Sequence, residues 1–170
     1  PLRRSGARVG GDLWVSGSHG VARLALEVFR GTHALSATAF DAARTRMEQP
    51  TPRVALGQAL RGIATSAVDV SDGLIGDLGH ILASSRVGAT LDADAATALI
   101  AVDTAGLRTE ALRTCALSGG DDYELVFTAP GSARDAVEQA GQARSDSVRS
   151  TTSSEHPQDS LEALLQRVDE

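Results

Sequence analysis

The sequence contains no lysine, and all 16 of its basic residues are arginines. Without lysine the chain cannot form a Schiff base with a substrate, and it cannot carry the lysine of a Walker-type phosphate loop. Any cation that contacts a phosphate must therefore be an arginine or a metal ion.

Cysteine and aromatic residues are also scarce. The single Cys115 rules out an internal disulfide framework. Five aromatic residues and a formal net charge of -6 argue against a nucleic-acid partner, because such binding needs positive charge and rings on which bases stack. No apolar run approaches the ~18 residues of a membrane span, and no signal peptide is recognisable. We therefore expect a cytoplasmic protein without a membrane partner.

The length of 170 residues suffices for one domain that buries ~70% of its unfolded surface. Residues 1–142 carry the patterns of that domain. Residues 143–170 are predicted to form a polar linker and then a short amphipathic helix over 161–168. Pro1 is not a natural start, so we expect the chain to be part of a longer protein.

The most informative stretch is Ser66–Leu74, where a predicted strand turns into a predicted helix. Alternation along the strand puts Asp69 and Ser71 on one face. The apolar residues after Gly73 have helical spacing, which predicts a helix that begins near Ser71 or Asp72. A tight turn brings residues three apart to within about 7 Å, so the two aspartates are expected to converge.

Converging carboxylates indicate a cation. At ~4 Å and an effective dielectric of ~20 two carboxylates repel by about 4 kcal/mol, and oxygen-only ligands favour Mg²⁺. Free backbone N–H groups at the start of a helix attract phosphate. The neighbouring aspartates would repel that phosphate unless a metal ion lies between them. We therefore predict that Asp69 and Asp72 form a metal–phosphate site. The alternative for Asp72 or Ser71 is a plain N-cap, which leaves Asp69 unexplained.

A second acidic segment follows a pair of glycines. Asp121 and Asp122 stand before a predicted strand in which Tyr123, Leu125 and Phe127 form one buried face. Taken alone, this pattern is also typical of an acidic turn that begins a hairpin. Its presence beside the first acidic cluster favours a functional role.

Local periodicity predicts the remaining elements. They are strands at 12–16 and 88–92 and helices around 21–28, 38–49, 52–63, 109–115 and 132–142. The fold class that follows is α+β, a small mixed sheet with helices packed on it.

Four motifs, in matching order and spacing, resemble the C-terminal half of thiamine-monophosphate kinases, which belong to the aminoimidazole-ribonucleotide synthetase superfamily. The motifs are Arg4–Ala7, Gln49–Arg53, Asp69–His80 and Ser118–Leu125. Members of this family transfer the γ-phosphate of ATP to thiamine monophosphate, giving thiamine diphosphate, with Mg²⁺ held by aspartates. The likeness covers roughly residues 1–142.

This resemblance implies site residues, partners and an assembly. By position it assigns Mg²⁺ binding and catalysis to Asp69 and Asp72, contact with ATP to Arg4 and Ser71, and contact with the thiamine substrate to Asp121, with Asp122 as the fallback. It also implies a homodimer formed through an N-terminal domain that is absent from this chain. We expect the fragment alone to be inactive.

Two other functions remain open at this point. The chain is a non-catalytic fragment or interaction module that only completes a partner's Mg²⁺ and ATP site, or it serves a related kinase with another acceptor. ADP release with a panel of acceptors, measured with and without an added N-terminal domain, distinguishes these functions.

Overall fold

The computed structural model describes residues 1–142 and 148–150, to which all structural statements refer. The elements are, in chain order, β1 (Gly11–Ser16), α1 (Val21–Phe29), α2 (Ala37–Glu48), α3 (Val54–Ala59), β2 (Ser66–Val70), α4 (Leu74–Ser85), α5 (Ala93–Thr97), α6 (Thr109–Ser118), β3 (Glu124–Pro130), a short 3-10 helix (Gly131–Ala133), α7 (Arg134–Gln142) and β4 (Val148–Ser150).

The strands form one sheet in the order β2-β3-β1-β4. Asp69 of β2 lies opposite Leu125 of β3, and Trp14 of β1 lies opposite Phe127. Every neighbouring pair is antiparallel. The predicted α+β class is confirmed, but the sheet is antiparallel rather than mixed. The physical reason is that β1 and β2 run in the same direction with β3 between them, so no parallel pair forms.

Helices cover both faces of the sheet. On one face, the valines of β2 and Val126 of β3 pack against Leu74, Leu78 and Ile81 of α4. Because each fully buried aliphatic side chain contributes about 2 kcal/mol, this contact fixes α4 directly behind β2.

The other face is built around two aromatic rings. Trp14 and Phe127 stack with ring centroids 6.5 Å apart, beneath Leu56 of α3 and Val137 of α7. With both faces of β3 buried, the predicted single buried face was wrong. Tyr123 of that predicted face lies before the strand and is 42% exposed.

Several predicted elements differ from the structure, and α5 was not predicted. The predicted strand at 88–92 was wrong, because the segment is irregular and the Asp92 carboxylate caps α5 by accepting from two backbone N–H groups. The helix expected from Pro52 begins at Val54, with Arg53 as its N-cap residue. β4 lies within the predicted linker and pairs with β1. The rest of 143–170, including the predicted amphipathic helix, lies outside the described residues.

The longest described helices, α2 and α4, have 12 residues each. Within the described part of the chain no helix combines the length and the apolar character that a membrane span requires.

Candidate functional site

Two loops meet where β2 ends and β3 begins. Loop 1 (Ser71–Gly73) joins β2 to α4, and loop 2 (Gly119–Tyr123) joins α6 to β3. The Asp121 N–H donates to the Ser71 carbonyl oxygen, and the Tyr123 N–H donates to the last carbonyl oxygen of β2, each at 2.9 Å. The structure therefore brings the two acidic motifs into direct contact.

Glycine is required at this contact. Gly73 has φ +130, and a Cβ there would lie 3.0 Å from the carbonyl carbon of Ser118. A Cβ on Gly120 would overlap the carbonyl oxygen of Ser71. Backbones can approach this closely only where no side chain intervenes, so both glycines are needed for the loops to meet.

A buried carboxylate holds loop 1 in place. Asp77, in the first turn of α4, is 3% exposed, and its Oδ2 accepts from all three N–H groups of the loop at 2.9–3.1 Å. This explains why α4 begins at Leu74, with Gly73 as an N-cap that has no side-chain hydrogen bond. The predicted helix start was wrong. The N–H groups of loop 1 are also not free for a phosphate, since Asp77 already accepts from them.

Three carboxylates of the motifs remain exposed. Asp69, Asp72 and Asp121 have no side-chain hydrogen bond or ion pair among the described residues. No group of three or more His, Cys, Asp or Glu side chains converges in the described part of the chain. Two carboxylates do fit Mg²⁺, because this ion is usually bound by one or two carboxylates together with substrate phosphates and water.

The neighbouring acid of loop 2 is placed differently. Asp122 is fully buried, and its two oxygens accept from the N–H groups of Gly20 and Ala22 at the start of α1. Burial raises the pKa of Asp122 to about 6. Asp122 therefore caps α1. Of the two adjacent acids, only Asp121 has an exposed side chain that a ligand could reach.

Loop 2 also carries backbone strain. Asp121 has φ +65 and Tyr123 has φ +51, in the left-handed region that residues with side chains rarely adopt. Aspartate tolerates this region, but a bulky aromatic residue there costs of the order of 1–3 kcal/mol. Such strain is concentrated at functional sites, which supports a role for this loop.

The charged cluster that we call the brace consists of Glu124, Arg46, Arg53 and Ser16. Arg53 donates twice to the fully buried Glu124 carboxylate, at 2.7 Å each, and Arg46 pairs with the same carboxylate. The Ser16 hydroxyl donates to it at 2.5 Å. These cations hold the pKa of Glu124 below its ordinary value although burial acts against them.

Sequence reasoning missed the brace. Its only local signal was a glutamate at the start of an apolar strand, a position where charged residues are uncommon. The residues that satisfy Glu124 come from β1, α2 and the start of α3, and no short-range spacing connects them.

A pocket of about 440 Å³ opens between the α2–α3 connection with α3 on one side and β2, loop 2 and β3 on the other. It is lined by Pro50, Pro52, Arg53, Val54, Gly57, Asp69, Tyr123 and Leu125. Most of this lining is apolar, and Asp69 supplies the carboxylate without a partner. A mostly apolar cavity of this size with a few polar groups is typical of small-molecule sites.

Arg4 is not brought to this site. The Ser85 hydroxyl at the end of α4 donates to the Arg4 carbonyl oxygen. Because α4 has 12 residues and is therefore about 18 Å long, this contact lies one helix length from loop 1. Within this chain, Ser71 and Arg4 do not share a site.

Comparison with known proteins gives a consistent result. The family model described as AIR synthase related protein, C-terminal domain, matches residues 8–148. The thiamine-monophosphate kinase of Salmonella typhimurium is 44% identical over 140 residues, which are 82% of this chain and 43% of that protein. The thiamine-monophosphate kinase of Escherichia coli K12 is 42% identical over 144 residues, again 82% of this chain and 43% of that protein.

Solved structures show the same similarity. The thiamine-monophosphate kinase from Stenotrophomonas maltophilia superposes with a TM-score of 0.78 and 42% identity, covering 88% of this chain and 48% of that one. AaThiL complexed with AMPPCP and TMP superposes with a TM-score of 0.66 and 28% identity, covering 78% and 43%. The chain therefore spans less than half the length of these relatives.

Proposed function

The chain belongs to the family of AIR synthase related protein C-terminal domains, with thiamine-monophosphate kinases among its relatives, and from this premise we propose that it is the C-terminal portion of such a kinase. The complete protein would transfer the γ-phosphate of ATP to thiamine monophosphate in the cytoplasm, giving thiamine diphosphate. The two acidic motifs carry the proposal, because their loops join through backbone hydrogen bonds and together they expose three carboxylates without partners among the described residues. One of these carboxylates, that of Asp69, lines the pocket.

Asp69 and Asp72 are the proposed Mg²⁺ ligands and catalytic residues. Both side chains are exposed; Asp69 lies near the end of β2, and Asp72 lies in loop 1, whose N–H groups donate to Asp77. Bound Mg²⁺ would neutralise charge on the phosphates of ATP. The protein contributes positioning, since phosphoryl transfer requires the two substrates to be held in line and little covalent chemistry.

Ser71 is the proposed contact to the nucleotide within this chain. Its N–H donates to Asp77 and its carbonyl oxygen accepts from Asp121, so its hydroxyl is the group left for a ligand. Arg4 remains a proposed ATP contact, but only in an assembly that brings a nucleotide to the far end of α4.

The pocket is the proposed site for the rings of the acceptor. Tyr123 offers an aromatic wall and Asp69 a negative charge, which together suit a flat, positively charged heteroaromatic group such as thiazolium. Asp121, exposed on loop 2, is the proposed polar contact to the acceptor, and Asp122 is retained only as a buried support of that loop.

The remainder of the site would come from an N-terminal domain outside this chain, as part of a homodimer. This accords with the chain covering 43% of the Salmonella relative. A non-catalytic module that only completes a partner's site is the second candidate, favoured by the presence of only two exposed carboxylates at loop 1.

ADP release with thiamine monophosphate tests the proposal. We expect no turnover by the 170-residue chain alone and turnover after addition of the N-terminal domain of a related kinase. Binding of Mg²⁺-ATP by the mixture without ADP release would support the non-catalytic module. ADP release only with other acceptors would replace thiamine monophosphate by a different substrate.

A further inference from the structure

The α2–α3 connection is held at both ends by one carboxylate. Arg46 near the end of α2 and Arg53 at the start of α3 both pair with Glu124 of β3. The chain between them therefore forms a closed loop whose ends cannot separate without exposing the Glu124 charge or leaving it unpaired. Removing one partner of a buried charge pair is strongly unfavourable, so the loop is held firmly.

This connection forms one wall of the pocket. Pro50, Pro52 and Arg53 lie on it, and the facing wall consists of Asp69, Tyr123 and Leu125 on the sheet side. Glu124 does not line the pocket, but it is the residue between Tyr123 and Leu125. The backbone that carries the second wall therefore also carries the carboxylate that holds the first. The distance between the two walls thus depends on the brace.

The absence of a side chain at Gly17 leaves room for the Glu124 carboxylate. Gly17 has φ +58, and a Cβ there would overlap the Glu124 carboxylate. The Ser16 hydroxyl, which donates to Glu124, also accepts from the Leu125 N–H at 2.9 Å. The end of β1 therefore fixes the rotation of the Glu124 side chain and the start of β3 together.

We infer that the brace is a positioning device that sets the width of the pocket and so selects for a flat ring system in the acceptor. The inference rests on the proposed function, because that proposal places the acceptor rings in this pocket. Arg46 is the informative position, since it belongs to the brace but does not line the pocket.

Two aromatic residues of the chain can serve as spectroscopic probes, one for the pocket and one for folding. Tyr123 is the only tyrosine and lines the pocket. Trp14 is the only tryptophan and is buried on the face of the sheet that α3 and α7 cover. With 3-fluorotyrosine incorporated, the 170-residue chain should give a single ¹⁹F resonance from the pocket. Trp14 fluorescence during urea denaturation then reports the folded fraction of the same sample.

The variants are Arg46→Gln, Arg46→Lys and the matched control Arg44→Gln. Arg44 lies on the same helix, and its ion pair within the described part of the chain is with Glu48 at the surface. Titration with thiamine and with thiamine monophosphate should move the Tyr123 resonance of the wild type. At temperatures where the variant is fully folded, we expect Arg46→Gln to weaken the affinity for both compounds by about tenfold or more. Arg46→Lys should restore part of the affinity, and Arg44→Gln should leave the affinity unchanged.

Unchanged affinity in folded Arg46→Gln would overturn the inference, since a residue with only a structural role would lower stability and leave the affinity of the folded protein intact. If neither compound moves the wild-type resonance, the acceptor assignment in the proposed function fails separately. The ligand-free spectra then test whether the brace sets the width of the pocket. A shifted or broadened Tyr123 signal in Arg46→Gln but not in Arg44→Gln supports this inference, and identical signals in the two variants overturn it.

Discussion

Six acidic side chains lie within the two motifs, and burial divides them into two groups of three. The exposed group, which has no partners among the described residues, is Asp69, Asp72 and Asp121. The buried group, whose oxygens accept from backbone N–H groups or arginines, is Asp77, Asp122 and Glu124. Asp77 holds loop 1, which carries Asp72, and Asp122 anchors loop 2, which carries Asp121. Glu124 instead joins β3 to α2, α3 and β1.

Asp72→Asn tests the exposed group. In the complete protein, we expect turnover to fall by about 100-fold or more, because loss of one charged oxygen removes metal affinity at a position where charge develops. ADP release measures the turnover, and isothermal titration of Mg²⁺-ATP measures binding.

The fold should survive this substitution, since the Asp72 side chain makes no contact that supports loop 1. Asp41→Asn, which changes an exposed carboxylate on α2, is the matched control and should leave turnover unchanged. Wild-type affinity of Asp72→Asn for Mg²⁺-ATP would contradict a role of Asp72 as a metal ligand.

At this scale the sequence located the exposed carboxylates better than the buried ones. Alternation and a turn define the positions of Asp69 and Asp72 locally, while their role in catalysis stays a prediction. The burial of Asp122 could not be predicted, because the N–H groups that it accepts from belong to residues about 100 positions earlier.

The start of α4 is stabilised by its own first turn. Asp77→Ala would leave three N–H groups of loop 1 without their acceptor, of which that of Gly73 is buried and the other two are partly buried. Because an unsatisfied buried donor costs about 1–3 kcal/mol, we expect a loss of about 2 kcal/mol or more in the free energy of unfolding, measured by urea denaturation. His80→Ala, at an exposed position of the same helix, should change it by less than about 0.5 kcal/mol. Equal losses for both variants would show that Asp77 does not hold the loop.

Contact between the two loops depends on Gly120. Gly120→Ala places a Cβ against the Ser71 carbonyl oxygen and should destabilise the fold by about 1–3 kcal/mol. Gly76→Ala is the matched control, because this exposed position of α4 has open space around it, and alanine there should stabilise by about 0.5–1 kcal/mol. Urea denaturation of both variants checks the opposite signs. A stabilising Gly120→Ala would refute the close approach of the loops.

Elements with strong local periodicity were predicted well, and those decided by distant contacts were not. α1 and β1 follow directly from their apolar spacing. The Gly88–Asp92 segment has strand-like residues but pairs with none of the described strands and is irregular. The start of α3 is shifted because Arg53 is bound by Glu124, a contact between residues 71 positions apart.

On the scale of the whole molecule, the site lies at one end of a sheet that is buried on both faces. β3 in the interior of the sheet joins the buried clusters of both faces and leads back into loop 2. Sequence patterns indicated six of the seven described α-helices, all but α5, and three of the four described strands. The strand order depends on pairings between distant segments. This architecture supports the exposed carboxylates on buried elements while leaving them accessible at the surface.

Two buried groups near the brace should make opposite contributions to the pH dependence of stability. Burial lowers the pKa of His19 to about 4 and raises that of Asp122 to about 6. Between pH 4 and 6.5 the unfolded chain binds a proton at His19 that the folded chain does not, so this contribution to stability rises with pH. Between pH 3.8 and 6 the folded chain retains a proton at Asp122 that the unfolded chain has lost, so that contribution falls with pH. Each change amounts to about 3 kcal/mol, and the two nearly cancel.

Single variants should reveal these compensating contributions. Relative to the wild type, the stability of His19→Gln should fall by about 3 kcal/mol between pH 4 and 6.5, and that of Asp122→Asn should rise by a similar amount between pH 4 and 6. Urea denaturation at half-unit pH steps measures both differences, and contributions from Asp12 and Glu124 are shared with the wild type and largely cancel. Gly76→Ala, which changes no ionisable group, should differ from the wild type by a constant. If the differences for His19→Gln and Asp122→Asn are also constant, neither group titrates differently in the folded and unfolded chain, and the buried support of loop 2 does not control the acid stability of the molecule.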